Sequence, residues 1–403
     1  MTEQPHTPGS NTTLHTLLST ALGLALAWGL SACGGDGAAT GPVAEQDTPE
    51  PVAKMATRPN NPTCLAPALA SEVATQLSAT GCFSAADTRE VVTGVIPYTV
   101  NNLLWSDGEK KGRFFAIPDG SVIRILDDSA GHNTGVSNGN FDFPDGSVVI
   151  KHFYNGSRIV ETRLLMRHAT DGWAGYAYEW NEAQTDATLL TTGKQIDTPV
   201  SHYFPSPAEC MECHTGADAP FTGVTAARVT LGPDTLQLNY TLHYTDGTRE
   251  NFLDALNRLG FFDNTDGLLT AHTHARLYAL NDTSASVEMR VRSYLHANCA
   301  GCHRPGGGPA GGFADLRFNT SFAPFDTGSM MVYNVCNADQ QATDTPAAAT
   351  KVVAPGDASH SALFLRVNST DSAIMMPPIG RATIDTEAAQ LIRTWINSLN
   401  DCQ

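Results

Sequence analysis

The sequence predicts an α+β multidomain chain: a β-rich, sandwich- or barrel-like N-terminal domain followed by mainly α-helical domains. Three observations carry this. Short β-branched runs, each set off by an Asp-Gly or Asn-Gly turn signal, crowd residues 118–180. Apolar residues at helical spacing recur further on, in 252–262, 287–295 and 389–399. The pattern C-x-x-C-H occurs twice, at 210–214 and 299–303, both in the later part. A chain of 403 residues is long enough for two or three domains.

In chain order, residues 1–33 read as a leader. An apolar run over 21–30 ends in Leu30-Ser-Ala-Cys33, a small-residue cleavage signal. The motif resembles the lipobox of bacterial lipoproteins, in which the cysteine, here Cys33, is acylated and becomes the mature N-terminus. The leader departs from the usual pattern in having no Lys or Arg over residues 1–20. Residues 34–62 are rich in Gly, Ala, Thr, Pro and Glu without apolar periodicity, and read as a disordered tether.

Residues 63–200 form the β-rich segment. Pro118-Asp-Gly and Pro144-Asp-Gly introduce strands over 122–126 and 148–154. Asn155-Gly156 is a hairpin signal leading into 158–167, and Asp171-Gly172 precedes the run 173–180. In that run Ala174, Tyr176, Tyr178 and Trp180 form the half-buried face. Its aromatic residues are expected in the core. His132, His152 and His168 are scattered and form no catalytic set.

Residues 201–285 carry the first motif, introduced by Pro205 and Pro207, and a helix over 251–262 expected to pack on a cofactor or on other helices. Residues 286–403 carry a helix over 286–298 that delivers the second motif, a Gly-rich loop over 304–312, and a closing helix over 386–399.

C-x-x-C-H is the attachment signal for c-type haem. Two thiols three positions apart on one helical turn can both bond one porphyrin, and the adjacent histidine then reaches the iron. Cys210, Cys213, Cys299 and Cys302 are the expected attachment points, and His214 and His303 the expected iron ligands. A zinc site would need further paired Cys or His, and a redox C-x-x-C would not place His after both pairs. Two haem c groups are therefore expected, and the helical domains become haem domains of cytochrome c type.

The second haem needs a sixth ligand. Met375-Met376-Pro377-Pro378 is a thioether on a proline-stiffened loop, and Met376 is the expected ligand, with Met375 as runner-up. For the first haem, His243, His272, His274, Met289, Met330 and Met331 are candidates with no distinguishing context, and His296 reads as structural; a five-coordinate iron is the alternative.

Several segments stand together: 294–307, Pro355-Gly-Asp357, Met376-Pro-Pro-Ile-Gly380, Leu391-Ile392 and Trp395-Ile396 in the C-terminal part. Upstream are Gly94-Val-Ile-Pro-Tyr98, Leu104-Trp-Ser-Asp-Gly108, 178–186 and 204–210. Together they resemble the family of two-haem c-type cytochrome lipoproteins of proteobacteria, of uncharacterised role, with a C-terminal domain like class I cytochromes c. The resemblance covers roughly residues 80–400 and implies haem and electron transfer.

Cys64, Cys82, Cys336 and Cys402 remain. An even remainder in an oxidising compartment suggests two disulfides. Three pairings are open; proximity favours Cys64 with Cys82, leaving Cys336 and Cys402. The leader and the haem motifs agree on export, so a lipid-anchored protein at the periplasmic face or outer membrane is expected. Outside the leader no stretch reaches a membrane-spanning length. A net charge of −17, from 41 acidic and 24 basic residues, argues against nucleic acid and suits a basic redox partner such as a basic cytochrome. Three functions follow: an electron-transfer lipoprotein, a dihaem peroxidase-like enzyme, or a β domain that binds a partner to which the haems deliver electrons. No catalytic residue is assigned.

Overall fold

The largest element is a six-stranded antiparallel sheet whose strands follow in chain order: β1 (Ile96–Pro97), β2 (Lys110–Ala116), β3 (Val148–Asn155), β4 (Arg158–His168), β5 (Gly172–Trp180) and β6 (Ala187–Leu190), with the strands Ile123–Leu126 and Asn140–Asp142, between β2 and β3, given to a separate small sheet. The molecule is a computed structural model that describes residues 51–126, 139–197, 201–216, 227–228, 230–263, 275–304, 314–320, 335–340 and 346–401. The chain is β-rich around this sheet. The turn signals account for it: Gly120, Gly146, Gly156 and Gly172 all adopt positive φ, which a residue without Cβ reaches freely.

One face of the sheet carries Ala116, Val148, Ile150, Leu164, Met166, Tyr176, Tyr178 and Trp180, packed under Cys64, Leu77, Cys82 and Phe83. The sequence predicts this face. The opposite face is covered as well, which corrects the expectation of a half-exposed sheet. Phe115, Val149, Leu165 and Trp173 pack there against Phe252, Leu256, Phe261 and Phe262. Alternation on β5 concealed this, because Gly175 and Ala177 show little apolar signal.

Helices enter in the order α1 (Pro207–Cys213), α2 (Phe252–Arg258), α3 (Val287–Asn298), α4 (Ala362–Val367) and α5 (Thr386–Ser398). Helix α2 is shorter than the predicted 251–262, because Asn251 is its N-cap and Gly260 turns the chain at φ 73°. It packs on the second sheet face, and also against Leu238 of a further one-turn helix, Thr235–Leu238. Strand Phe262–Asp263 then pairs in parallel with Ile123–Leu126, so the region after the first motif returns to the β layer.

A second core joins α3 to α5 through Val291, Tyr294, Leu295, Ala389, Ile392, Trp395 and Ile396. Asp385, the N-cap of α5, accepts the Ala388 N–H at 3.0 Å. Ser286 caps α3 at its predicted start.

The tether is shorter than composition indicates. Val52 N–H donates to the His243 carbonyl at 3.0 Å, and Asn61 is buried with its amide on the Cys64 and Ile117 carbonyls. These backbone and amide bonds hold residues 52–62 to the body despite their polar composition. From residue 51 the described residues belong to one compact unit, so the segments beginning at 63, 201 and 286 share a single body. Cys64 and Cys82 form a disulfide, as sequence proximity suggests. Cys336 is also disulfide-bonded; Cys402, its expected partner, lies outside the described residues, as do Cys33 and the whole leader. Among the described residues no helix is long and apolar enough to cross a membrane.

Candidate haem site

Helix α1 brings the first motif. Ser206 caps it in a reciprocal capping box: its hydroxyl accepts the Glu209 N–H while the Glu209 carboxylate accepts the Ser206 N–H at 2.8 Å. The pattern Ser206-x-x-Glu209 carries this in sequence and escaped the reading above. Pro207 at N1 fits a position with no intrahelical donor to lose. Tyr203 bonds Glu209 from outside, fixing the helix to the hairpin of Lys194–Ile196 and His202–Phe204. Cys210 and Cys213 lie on α1 and His214 is its C-cap.

Gly175 decides how α1 meets the sheet. A Cβ built there would stand 2.7 Å from Cys210 Cβ and 3.0 Å from its Sγ. Only a residue with no side chain lets the first motif lie against β5.

The second motif follows α3. Cys299 is its C-cap and is buried in the α3–α5 core. The chain then turns, with the Cys302 and His303 N–H groups both on the Cys299 carbonyl at 3.1 and 2.8 Å. Asn298, one residue before the motif, binds the β side: it accepts the Trp105 N–H at 2.7 Å and donates to the Leu103 carbonyl at 3.0 Å.

The two motifs meet. The Cys302 thiol donates to the carbonyl of Glu212, inside the first motif, at 4.0 Å. The neighbouring Cys213 and Cys302 thiols act on each other, which holds Cys302 down and raises Cys213. One cavity of about 270 Å³ is lined by Cys210, Cys213 and His214 from the first motif and Gly301 and Cys302 from the second. All four motif cysteines are free thiols. Burial pushes Cys210 up to about 11 and Cys299 up to about 12.

His303 has a buried Nδ1 with no hydrogen-bond partner among the described residues. Burial, with the nearby Arg366 charge, lowers its pKa and keeps the ring neutral, the form in which imidazole ligates a metal. Met376 sits on the loop after α4. Its N–H donates to the Arg366 carbonyl at 3.1 Å, and Arg366 Nη1 donates to the Ile374 carbonyl at 3.1 Å. Met375 lines a second cavity, of about 210 Å³, with His202, Tyr203 and Arg163.

The candidates for the first haem's distal position divide. His272, His274, Met330 and Met331 lie outside the described residues, as does His132. His243 is exposed on a short strand, and Met289 packs beside Leu236, Leu277 and Phe318. His296 lines the large cavity, yet both ring nitrogens are engaged, Nδ1 by the Phe318 N–H at 3.1 Å and Nε2 by Asp234 at 3.3 Å. Its reading as structural agrees with that.

The β side contributes what sequence reasoning did not single out. His202 bridges Glu109 at 2.7 Å and Glu161 at 2.8 Å, and Glu161 also accepts Arg163 at 2.7 Å. Asp107 fixes residues 382 and 383 of the methionine loop. These residues are far apart in sequence, and no local pattern marks them. Among the described residues no group of three or more His, Cys, Asp or Glu is set to hold a bare metal ion. The donor set fits a porphyrin instead: paired thiols, an adjacent imidazole with an orphaned buried nitrogen, and a cavity with apolar walls at Leu104, Val149, Leu165 and Leu231. Compared with family models, curated proteins and solved structures, the chain matches none.

Proposed function

We propose that the chain is an exported dihaem c-type cytochrome, anchored through a lipid at Cys33 and carrying electrons at the periplasmic face or outer membrane. Haem supplies one-electron redox chemistry; the protein supplies attachment, orientation and shelter from water. In this reading Cys210 and Cys213 hold one haem with His214 as ligand, and Cys299 and Cys302 hold the other with His303 and Met376. The helical core of α3 and α5 around the second motif is then the class I-like cytochrome c domain.

The observation that carries the reading is the meeting of the two motifs: the Cys302 thiol reaches the Glu212 carbonyl at 4.0 Å, and residues of both motifs line one cavity. Groups attached this close together can exchange electrons directly. A single body with two coupled redox centres suits a carrier that takes an electron from one partner and passes it to another. The acidic surface implied by a net charge of −17 suits a basic protein partner.

The test uses full-length protein from a host that attaches c-type haem. Intact mass should show two haems, and Cys33→Ser should move the protein from the membrane fraction to the soluble one. The reduced protein should be reoxidised by hydrogen peroxide without rapid catalytic turnover and should leave carbon monoxide unbound. Fast peroxide turnover with carbon monoxide on one haem would establish a peroxidase instead.

A further inference from the structure

The main sheet holds a row of charge that its own stability does not explain. Arg113, Lys151 and Arg163 are cross-strand partners on β2, β3 and β4, side by side on the face toward α1. Such partners stand about 4.5–5.5 Å apart, and like charges there repel. Lys111 lies on the same face of β2, two residues from Arg113. The acids within reach are already used: Glu161 accepts Arg163 and His202, and Glu109 accepts His202. Among the described residues Lys151 makes no hydrogen bond or ion pair, and its Nζ rests over the Phe153 ring 5.1 Å from the centroid.

Arg113, Lys151 and Arg163 line the cavity that holds the motif cysteines. Arg304, Arg317 and Arg381 line the same cavity; Arg317 is paired with Asp315, and among the described residues the acids lining it are Glu209 and Asp234. The chain as a whole has the opposite balance, 41 acidic to 24 basic residues. Burial, then the charges of Arg113, Lys111 and Arg163, drive the Lys151 ammonium well below its usual value, the signature of a cation cluster awaiting an anion. The first motif lies on this same face at Gly175, and Arg163 is near enough to Cys210 to feel its charge.

We propose that Lys151, with Arg113 and Arg163, forms a carboxylate-binding edge of this cavity, and that its occupants are the propionates of the haem attached at Cys210 and Cys213. The proposal rests on the dihaem reading and adds the residues that recognise the haem's acidic edge. Planar guanidinium groups take a carboxylate in two parallel bonds, and an ammonium adds a point charge between them. Two propionates against three cations explain the whole row. Lys151 as an axial iron ligand would explain one member of it and leave the arginines unaccounted for.

The experiment uses full-length holoprotein: wild type, Lys151→Met and Lys151→Arg. Among the described residues the Lys151 side chain has no hydrogen bond or ion pair to lose, only its place over the Phe153 ring, so the methionine variant should fold. Intact mass is read first and should show two haems in each. In a redox titration Lys151→Met should lower one midpoint potential and leave the other in place, because removing a nearby cation favours the more positive, oxidised state. Lys151→Arg should restore the wild-type value. The propionate bending bands in the resonance Raman spectrum should shift in Lys151→Met alone. Should Lys151→Met attach fewer than two haems, Lys151→Gln, which keeps a polar head, is titrated in its place. Two unchanged potentials would overturn the proposal while the dihaem reading stood. So would new carbon monoxide binding in Lys151→Met, which would make Lys151 an iron ligand. Added citrate that raises the wild-type melting temperature but not that of Lys151→Met, with both potentials unmoved, would assign the site to a diffusible carboxylate. A wild type without haem would remove the dihaem reading and this site with it.

Discussion

The carboxylate of Asp107 holds Thr383 by two bonds, from its backbone N–H at 2.7 Å and its hydroxyl at 2.6 Å, and takes the Ala382 N–H as well at 3.0 Å. Trp105 Nε1 adds a bond to the Thr383 carbonyl at 3.3 Å, and the Trp105 N–H donates to Asn298 beside Cys299. A short segment of the β side thus grips both the loop bearing Met376 and the helix bearing the second motif. Hydrogen bonds to a charged acceptor are the stronger kind, so Asp107→Ala should cost about 2 kcal/mol at this half-buried position. Thermal unfolding should show the loss. The methionine loop should loosen too, lowering one midpoint potential while the haem count stays at two. An unchanged melting temperature would mean that the loop is held by other contacts.

Gly175→Ala tests the seat of the first motif. The new methyl would meet Cys210 well inside contact distance, and α1 must retreat or β5 must bend. Overpacking of this kind costs about 1–3 kcal/mol. Because the displaced residue is itself an attachment point, the expected product carries one haem by mass, at the second motif. Gly156→Ala, where the added Cβ meets nothing within 4 Å and strains only the positive φ of a turn away from α1, is the control and should keep both haems. Two haems in Gly175→Ala would show that α1 tolerates the shift.

His202 should give the protein a pH-dependent stability. Burial by itself would lower the pKa of this ring. Hydrogen bonds to Glu109 and Glu161, and their charge, outweigh burial and hold it up to about 9. The folded value exceeds the unfolded one, near 6.5 for free histidine, so the native state keeps the proton longer. The stabilisation is full below pH about 6.5 and is lost as pH rises through about 9; a shift of that size is worth about 3 kcal/mol. The wild-type melting temperature should fall across that window. His202→Asn should be less stable at pH 6 and flatter above it. A wild-type profile level from neutrality to pH 9 would show that the imidazolium is not held.

The disulfide joining Cys64 and Cys82 closes a loop of 18 residues, and by loop entropy its removal should cost about 3 kcal/mol. The double variant Cys64→Ala, Cys82→Ala should melt lower by the corresponding amount and keep its haems, since both residues lie on the sheet face away from α1. Peptide mapping without reduction should recover Cys336 joined to Cys402. A free Cys402 thiol would send Cys336 to another partner.

What the sequence made legible was local. Pro-Asp-Gly and Asn-Gly turns mark the long strands because only a few residue types reach positive φ there. Ser286, the apolar stripe of α3 and that of α5 mark two helices to within a residue or two. The capping box at Ser206 and Glu209 was equally local and could have been found. The rest was hidden by distance or by bland chemistry. Asp107 and Thr383 are 276 residues apart, and nothing near either names the other. Gly175 and Ala177 read as weak positions on a strand, although their smallness is what admits α1. Lys111, Arg113, Lys151 and Arg163 each look like the solvated side of an alternating strand. Only strand register puts them on one face, and only the cavity shows that this face is internal.

Met375 and Met376 adjoin in sequence and are engaged differently. Met375 lines the cavity it shares with His202 and Tyr203. Met376 is bound through its backbone to Arg366, whose charge acts on His303. The loop position of Met376 is thereby tied to the residue beside the second motif's histidine. A thioether ligand raises the reduction potential and gives ferric haem a weak far-red band. Met376→Ala should abolish that band and lower one midpoint potential, with the haem count unchanged at two. Met375→Ala should keep the band, because its side chain lines a different cavity. If Met375→Ala loses the band and Met376→Ala keeps it, the ligand is Met375 and the loop must turn over when haem is attached.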